Sequence, residues 1–268
     1  MKRLTSLTAF FFLIAVICAS AQEVGKGKML GRLLIEDGRP MSGGAVFFFN
    51  DATGPPPSQE KYWRVPDTVA PIDDEGKFLV ELPPGRYYLG AMKRISREKN
   101  IGPPGEGDYF LKGQDPGNKP KTFIVKRGET TDIGTIAAGK PFKRTVIKYS
   151  GGITAIKGVV RDAEGKPVEG VAVFGYKKSI TREKPLFASD RTGADGKYTL
   201  RVSEGGKYYL KVRDVYGGGP PKNGEIIGNY WQGVPAEASA KTGEITEGID
   251  ISVTRFPGRG PHRGPRQE

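Results

Sequence analysis

The chain has 268 residues, enough for one large domain or two of ordinary size. Its 39 Gly and 21 Pro, beside 37% hydrophobic and 10% aromatic residues, favour packed cores built from short, turn-rich β elements. The formal charge is +12, and the single Cys and single His exclude a disulfide framework, a Cys/His metal site and an obvious nucleophile–base pair. We therefore expect neither a metal nor a cofactor.

Residues 1–21 have the layout of a cleavable secretory signal peptide. A basic start, Lys2-Arg3, precedes an apolar run over residues 9–17, and Ala19-Ser20-Ala21 supplies the small residues of a cleavage site. Cleavage would leave a mature chain of about +10 without cysteine, and no later segment is apolar enough to span a membrane. We expect an exported protein, periplasmic or at the cell surface. Lipidation at Cys18 is the alternative, disfavoured by the bulky Ile17 before it.

The rest of the chain repeats itself once, and this repeat predicts two tandem domains of one kind. Three pairs of segments match in the same order: Gly38-Arg39-Pro40 with Gly165-Lys166-Pro167, Glu75-Gly76-Lys77-Phe78 with Asp195-Gly196-Lys197-Tyr198, and Arg86-Tyr87-Tyr88-Leu89 with Lys207-Tyr208-Tyr209-Leu210. The domains are expected over residues 28–138 and 154–254. A linker over residues 139–153 joins them, and residues 145–147 within it have the composition of an added edge strand.

Each repeat has the pattern of short strands. After the Asp195-Gly196 turn, apolar residues alternate with polar ones at a period of two, which is typical of half-buried strands. The same alternation places Tyr87 and Tyr208 in a core and Tyr88 and Tyr209 on an outer face. About seven strands in about 100 residues predict an all-β fold of two tandem antiparallel β-sandwiches.

The second repeat resembles the carboxypeptidase regulatory-like domain, a prealbumin-like, Ig-like β-sandwich. The resemblance rests on Lys157-Gly158-Val159-Val160-Arg161-Asp162, Gly165-Lys166-Pro167-Val168 and Asp195-Gly196-Lys197-Tyr198. The first repeat departs from the pattern by a Pro-rich insertion that begins Gly54-Pro55-Pro56-Pro57 and by Asp74-Glu75-Gly76 in place of a clean Asp-Gly turn. The resemblance implies a non-catalytic module of exported bacterial proteins. We expect it to be a binding or structural module that docks other cell-envelope or extracellular proteins through exposed strand edges and basic surface.

Two corresponding segments, each preceded by Gly-Pro-Pro, are the candidate ligand sites. They are expected to be loops, and their aromatic pairs have amide or carboxylate neighbours, as a sugar-binding platform requires. The candidate residues are Tyr109, Phe110, Asn229, Tyr230, Trp231 and Gln232. A carbohydrate-binding module is thus the alternative function, and it requires Trp231 to be exposed beside Asn229 or Gln232. The other interpretation is that these rings fold back and close the end of each sandwich.

Residues 255–268 form a basic tail rich in Gly and Pro, which we expect to be disordered. Its arginines are Arg255, Arg259, Arg263 and Arg266. Because export makes nucleic acid an unsuitable partner, the predicted partner is an anionic surface: lipopolysaccharide, an acidic polysaccharide or an acidic patch on another exported protein. A charged terminus that only keeps the chain soluble is the equal alternative.

The acidic residues most suggestive of Ca²⁺ binding or catalysis coincide with predicted turns. Asp73, Asp74 and Glu75 occupy one such turn, and Asp190 and Asp195 flank another. Asp favours turns because its side chain accepts hydrogen bonds from nearby backbone N–H groups. A glycosidase would need two acids facing one cleft, so the sequence predicts a protein that is not an enzyme.

Overall fold

The computed structural model describes residues 25–95, 102–115, 117–143, 152–178, 184–216, 219–230 and 236–257. Across these ranges every regular element is a β-strand. The predicted all-β sandwich class is therefore confirmed. The proposed signal peptide and residues 145–147 lie outside the described residues.

The first unit contains nine strands. They are β1 (Gly27–Ile35), β2 (Ala45–Asn50), β3 (Trp63–Arg64), β4 (Thr68–Pro71), β5 (Lys77–Leu82), β6 (Gly85–Lys93), β7 (Tyr109–Lys112), β8 (Thr122–Val125) and β9 (Thr130–Pro141). All except β3 pair in the order β4-β2-β6-β7-β9-β1-β5, with β8 also on β6. Strand β9 runs alongside β1 and pairs with β7 at its C-terminal end. The strands of this unit therefore enclose a single core.

The second unit also contains nine strands. They are β10 (Ala155–Arg161), β11 (Ala172–Tyr176), β12 (Phe187–Ala188), β13 (Lys197–Arg201), β14 (Gly206–Arg213), β15 (Ile226–Asn229), β16 (Glu237–Ala240), β17 (Ile245–Thr246) and β18 (Ile251–Arg255). Their order is β12-β11-β14-β15-β18-β10-β13, with β16 on β14 and β17 on β10. This is the order of the first unit, with β17 and β18 together in the place of β9.

Parallel pairing along the first strand of each unit refines the predicted antiparallel sandwich. β1 runs parallel to β9, and β10 runs parallel to β17 and β18, whereas the other strand pairs are antiparallel. Strand pairing also extends beyond both expected domain ends, since β9 continues to Pro141 and β18 to Arg255.

The repeated sequence signals occupy equivalent places in the two units. Tyr87 and Tyr208 are buried in the cores, and each hydroxyl donates to a backbone carbonyl four residues earlier, at 2.9 Å. Gly76 and Gly196 have φ of 82° and 67°, the left-handed region that glycine enters without strain. Their carbonyls accept from the N–H of Leu33 and Val160 at 2.8 and 2.9 Å. The turn glycine thus connects two strands in both units.

Candidate functional site

Tyr109 and Phe110 lie on strand β7, not on the loop that the sequence predicted. Tyr109 packs against the core of the first unit, and its hydroxyl accepts a hydrogen bond from Arg39 at 3.4 Å. Phe110 packs against an apolar cluster on the outer face of the same sheet. Because neighbouring residues of a strand point to opposite faces, the two rings do not form one platform.

The acid that precedes this aromatic pair, Asp108, holds the Gly-Pro-Pro loop in place. Asp108 is 3% exposed, and its carboxylate accepts from the Arg94 guanidinium at 3.1 Å and from the Gly105 and Ile95 N–H groups at 2.8 and 3.0 Å. Arg94 also donates to the carbonyl of Gly102 at 3.1 Å. The Gly-Pro-Pro loop is therefore hydrogen-bonded to the residues that follow β6. The Asp108 carboxylate accepts hydrogen bonds within the protein and is not a ligand-binding group.

In the second unit, an ion pair between Glu225 and Arg213 holds the corresponding loop in the same way. Glu225 is 5% exposed and pairs with the Arg213 guanidinium, and its other oxygen accepts from the Lys222 N–H at 2.9 Å. Arg213 donates to the carbonyl of Gly219 at 3.1 Å. Burial favours the neutral carboxyl, but the hydrogen bonds from Arg213 and Lys222 outweigh it and hold the pKa of Glu225 below its ordinary value.

The remaining sequence candidates are only partly described. Asn229 ends β15 and is exposed, whereas Tyr230 packs against the core of the second unit. Trp231 and Gln232 lie outside the described residues, so the requirement for an exposed Trp231 stays a prediction.

Arg255 belongs to a strand, which corrects its assignment to the disordered tail. It pairs with Ile226 in the register of β15 and β18, and its guanidinium donates to the carbonyl of Gly224 at 3.2 Å. Ile226, the first residue of β15, pairs with Arg255. Strand β18 therefore continues one residue beyond the predicted domain end at residue 254. Arg259, Arg263 and Arg266 lie outside the described residues.

The candidate acids act in turns, as predicted. The Asp73 carboxylate accepts from the N–H groups of Glu75 and Lys77 at 3.1 and 2.7 Å, and that of Asp195 accepts from the Lys197 N–H at 3.1 Å. Within the described ranges, no three His, Cys, Asp or Glu side chains gather in a metal-binding group, and no helix has the length and apolarity needed to cross a membrane.

The Pro-rich insertion of the first unit docks onto the second unit. We call residues 54–66 the bridging segment. Its strand β3 extends the second sheet, where Trp63 pairs with Ala188 and Arg64 with Phe187. Tyr62 is 6% exposed and lies in the core of the second unit, with its ring 5.2 Å from that of Phe187. The insertion that departs from the repeat therefore joins the two units.

Arg64 fixes the base of the bridging segment. Its guanidinium is buried, donates to the carbonyls of Asn50 and Gly54, and pairs with the Asp67 carboxylate at 3.1 Å. The guanidinium carbon lies 5.5 Å from the centre of the Phe49 ring. Burial lowers the pKa of Arg64, and the neighbouring Asp67 opposes this shift. The segment is thus anchored to the first unit by charge-assisted hydrogen bonds.

A cavity of about 390 Å³ lies between the bridging segment and the outer face of the first sheet. We call it the apolar cavity. Its floor is Phe47, Phe49, Gly90, Met92 and Phe110, its cover includes Pro56, Pro57 and Trp63, and Tyr216 borders it from the second unit. Gly90 forms a recess, because a Cβ there would approach the rings of Phe49 and Phe110 at 3.7 and 4.0 Å. A side chain at this position would project among the floor rings.

A second cavity, of about 490 Å³, adjoins the first and has a more polar lining. We call it the polar cavity. Trp63, Phe110 and Phe142 supply its aromatic wall, Gln59, Gln114 and Asn118 supply carboxamides, and Asp190 and Arg201 come from the second unit. The two cavities share part of their lining, namely Gln59, Glu60, Trp63, Phe110, Lys112, Gln114 and Asn118. Both candidate sites therefore lie where the bridging segment meets the sheet of the first unit.

Sequence reasoning found Phe110 but missed most of the lining. Phe47, Phe49, Trp63, Met92 and Phe142 were not predicted as site residues. One signal was present in β2, where residues 45–49 are all apolar and do not alternate. A strand without alternation is covered on both faces, so this run indicated that something packs on the outer face.

Comparisons with known proteins give no family. No family model matches the chain, and no curated protein matches it. Among solved structures, the Bacillus anthracis TIE protein is 16% identical, with 86% of this chain and 34% of that chain covered, at a TM-score of 0.26. A streptococcal ancillary pilin is 13% identical, with 88% and 64% covered, at 0.26. A DUF3823 family protein from Parabacteroides merdae is 12% identical, with 87% and 100% covered, at 0.25.

The chain therefore spans 34% of the length of the first of these proteins and 64% of the second. At TM-scores of this size, what the chain binds has to be inferred from its own residues.

Proposed function

We propose that this is an exported, non-catalytic binding module, in which two sandwiches of the carboxypeptidase regulatory-like kind are joined by the bridging segment. Its partner is a polypeptide segment of another exported or cell-envelope protein, bound in the apolar cavity. Export rests on the pattern of residues 1–21. A role without catalysis is supported by the candidate acids, whose carboxylates are engaged in turns and ion pairs.

The observation that carries the proposal is the chemistry of the apolar cavity. Aromatic rings and Met92 form its floor, proline rings form part of its cover, and polar residues such as Ser58, Lys61 and Gln114 surround it. An apolar centre with a polar rim is the organisation of protein-binding surfaces. Aromatic-lined grooves are a recurring way in which proteins bind extended peptides.

The test fills the cavity without disturbing the fold. Gly90→Val adds a β-branched residue, favoured in strands, at a position where φ is not positive and the recess has room for Cβ. The protein, expressed from the full chain and purified after export, is panned against a display library of linear dodecapeptides. We expect enriched peptides with aromatic or aliphatic residues, and synthetic copies that bind G90V at least tenfold more weakly.

Thr199→Val is the matched control. It places the same side chain on an exposed position of β13, away from both cavities. Peptides should bind T199V and the unmodified protein equally. A library that yields no peptide able to distinguish the unmodified protein from G90V contradicts the proposal.

A further inference from the structure

We infer that the polar cavity is a second binding site, adjoining the peptide site and sharing part of its lining, and that it holds a neutral oligosaccharide. Sugar recognition needs flat aromatic surface for the C–H faces of the ring and unpaired hydrogen-bonding groups beside it. The polar cavity supplies both, with residues that the repeat pattern alone did not bring together.

Three aromatic rings meet at this cavity from separate parts of the chain. Trp63 comes from the bridging segment, Phe110 from β7, and Phe142 from the residues just after β9. The Phe142 ring lies 6.0 Å from that of Trp63 and 6.3 Å from that of Phe110, at tilted and edge-on angles. All three are partly exposed. The cluster thus retains accessible aromatic surface on the cavity side.

The charged groups around the cavity are engaged within the protein. Lys112 pairs with Glu60 at 3.2 Å, Lys140 pairs with Glu36 at 2.8 Å, and Arg201 donates to the Glu60 carbonyl at 3.2 Å. Further charged groups on the lining also have partners: Asp115 accepts from two backbone N–H groups, and Lys143 and Asp190 are engaged. With four basic and three acidic side chains on the lining, little charge is left for an anionic ligand.

The groups left without partners are neutral. Within the described part of the chain, the side-chain carboxamides of Gln59 and Asn118 make no hydrogen bond. Both amides are solvent-accessible on the cavity lining. Sugar hydroxyls both donate and accept hydrogen bonds, so they would satisfy these two amides.

The experiment follows Trp63 directly. The chain has two tryptophans, so Trp231→Phe leaves Trp63 as the only indole reporter. This protein, expressed from the full chain and purified after export, is titrated with neutral hexasaccharides of β-glucose, mannose and xylose, in 0.05 and 0.5 M NaCl. We expect a saturable change of Trp63 emission with at least one of them, of equal affinity at both salt concentrations.

Variants of the lining then locate the site. Phe142→Ala removes a ring that borders only the polar cavity, and it spares the backbone hydrogen bonds of that residue to Gly107 and Asp108. Phe142→Ala, and the double substitution of Gln59 and Asn118 by Ala, should each weaken binding at least tenfold. Asn223→Ala is the matched control, an exposed amide of the second unit that lines neither cavity, and should change nothing.

The outcomes separate this inference from the peptide site. Gly90→Val should leave sugar affinity unchanged, and Phe142→Ala should leave peptide affinity unchanged. The inference is overturned if no hexasaccharide binds, if binding disappears in 0.5 M NaCl, or if Phe142→Ala leaves the affinity unchanged. The last result would place the sugar site outside the polar cavity.

Discussion

At the residue level, the buried turn glycines Gly76 and Gly196 leave no space for a side chain. A Cβ on Gly196 would lie 2.6 Å from the Val160 carbonyl oxygen and 2.9 Å from Pro167, and one on Gly76 would lie 2.7 Å from the Leu33 carbonyl oxygen. Both carbonyls are hydrogen-bonded to the next strand segment. Glycine is required there because of both its positive φ and its closeness to a neighbouring strand.

Gly196→Ala and Gly165→Ala separate these two requirements. Gly165 has φ of 78° but open space around its Cβ position, so alanine there costs only the left-handed conformation, about 1–2 kcal/mol. Gly196→Ala pays the same cost and must also displace the Val160 carbonyl, which adds about 1–2 kcal/mol. Urea denaturation should therefore give the larger loss of unfolding free energy for G196A. Equal losses would show that the close contact relaxes freely.

At the scale of elements, a buried Arg–acid pair fastens a Gly-Pro-Pro loop to the sheet in each unit. Asp108 and Glu225 hold equivalent places, each accepting from the N–H three residues earlier. The sequence matched the two Gly-Pro-Pro segments, for which it left a ligand-binding and a structural interpretation open. The aromatic pairs that follow them are not equivalent, because Tyr109 begins β7 whereas the matching strand β15 begins with Ile226 and ends before Tyr230. The pairs form between residues 12 to 14 positions apart, and nothing in the local pattern indicated that the acids would be buried.

Glu225→Gln tests the contribution of the Arg213–Glu225 ion pair to the stability of the second unit. The substitution removes the carboxylate that pairs with the largely buried Arg213 guanidinium, and we expect a loss of about 3 kcal/mol of unfolding free energy at pH 7. In the unfolded chain Glu225 titrates near its ordinary value of 4.5, and in the folded protein its pKa is lower. The contribution of the pair is therefore complete above pH 4.5 and decreases as the pH falls from 4.5 through the folded pKa.

The stability of the unmodified protein should accordingly fall more steeply than that of E225Q in this window, as measured by urea denaturation at several pH values. Glu164→Gln is the control, since that exposed side chain makes no hydrogen bond or ion pair with the rest of the described chain. Its pH profile should parallel that of the unmodified protein. Parallel profiles for E225Q as well would contradict the assigned role of Glu225.

At the scale of the whole molecule, the bridging segment belongs to the first unit in sequence but packs into the second unit. Tyr62 is a core residue of the second unit although it belongs to the sequence of the first. Strand β3 also covers the edge of β12, which has only two residues. Covering an edge in this way satisfies backbone groups that an open sheet exposes.

Tyr62→Ala should uncouple the two units. Loss of the ring from the second core costs about 3 kcal/mol or more, and calorimetry should then show two thermal transitions where the unmodified protein has one. Tyr62→Phe keeps the ring and loses only the hydrogen bond to the Pro56 carbonyl, so it should retain a single transition at a slightly lower temperature. One unchanged transition for Y62A would mean that the units are coupled elsewhere.

The repeat, the all-β class, the inward faces of β6 and β14 and the Asp-based turns could all be predicted from the amino-acid sequence. These features depend on alternation and on hydrogen bonds within a few residues, so they can be read locally. The role of the Pro-rich insertion in joining the units, the opposite directions of Tyr109 and Phe110, and the meeting of Trp63, Phe110 and Phe142 became evident from the three-dimensional fold. Those outcomes depend on packing between segments that are tens of residues apart, where composition indicates an apolar surface but not its partner.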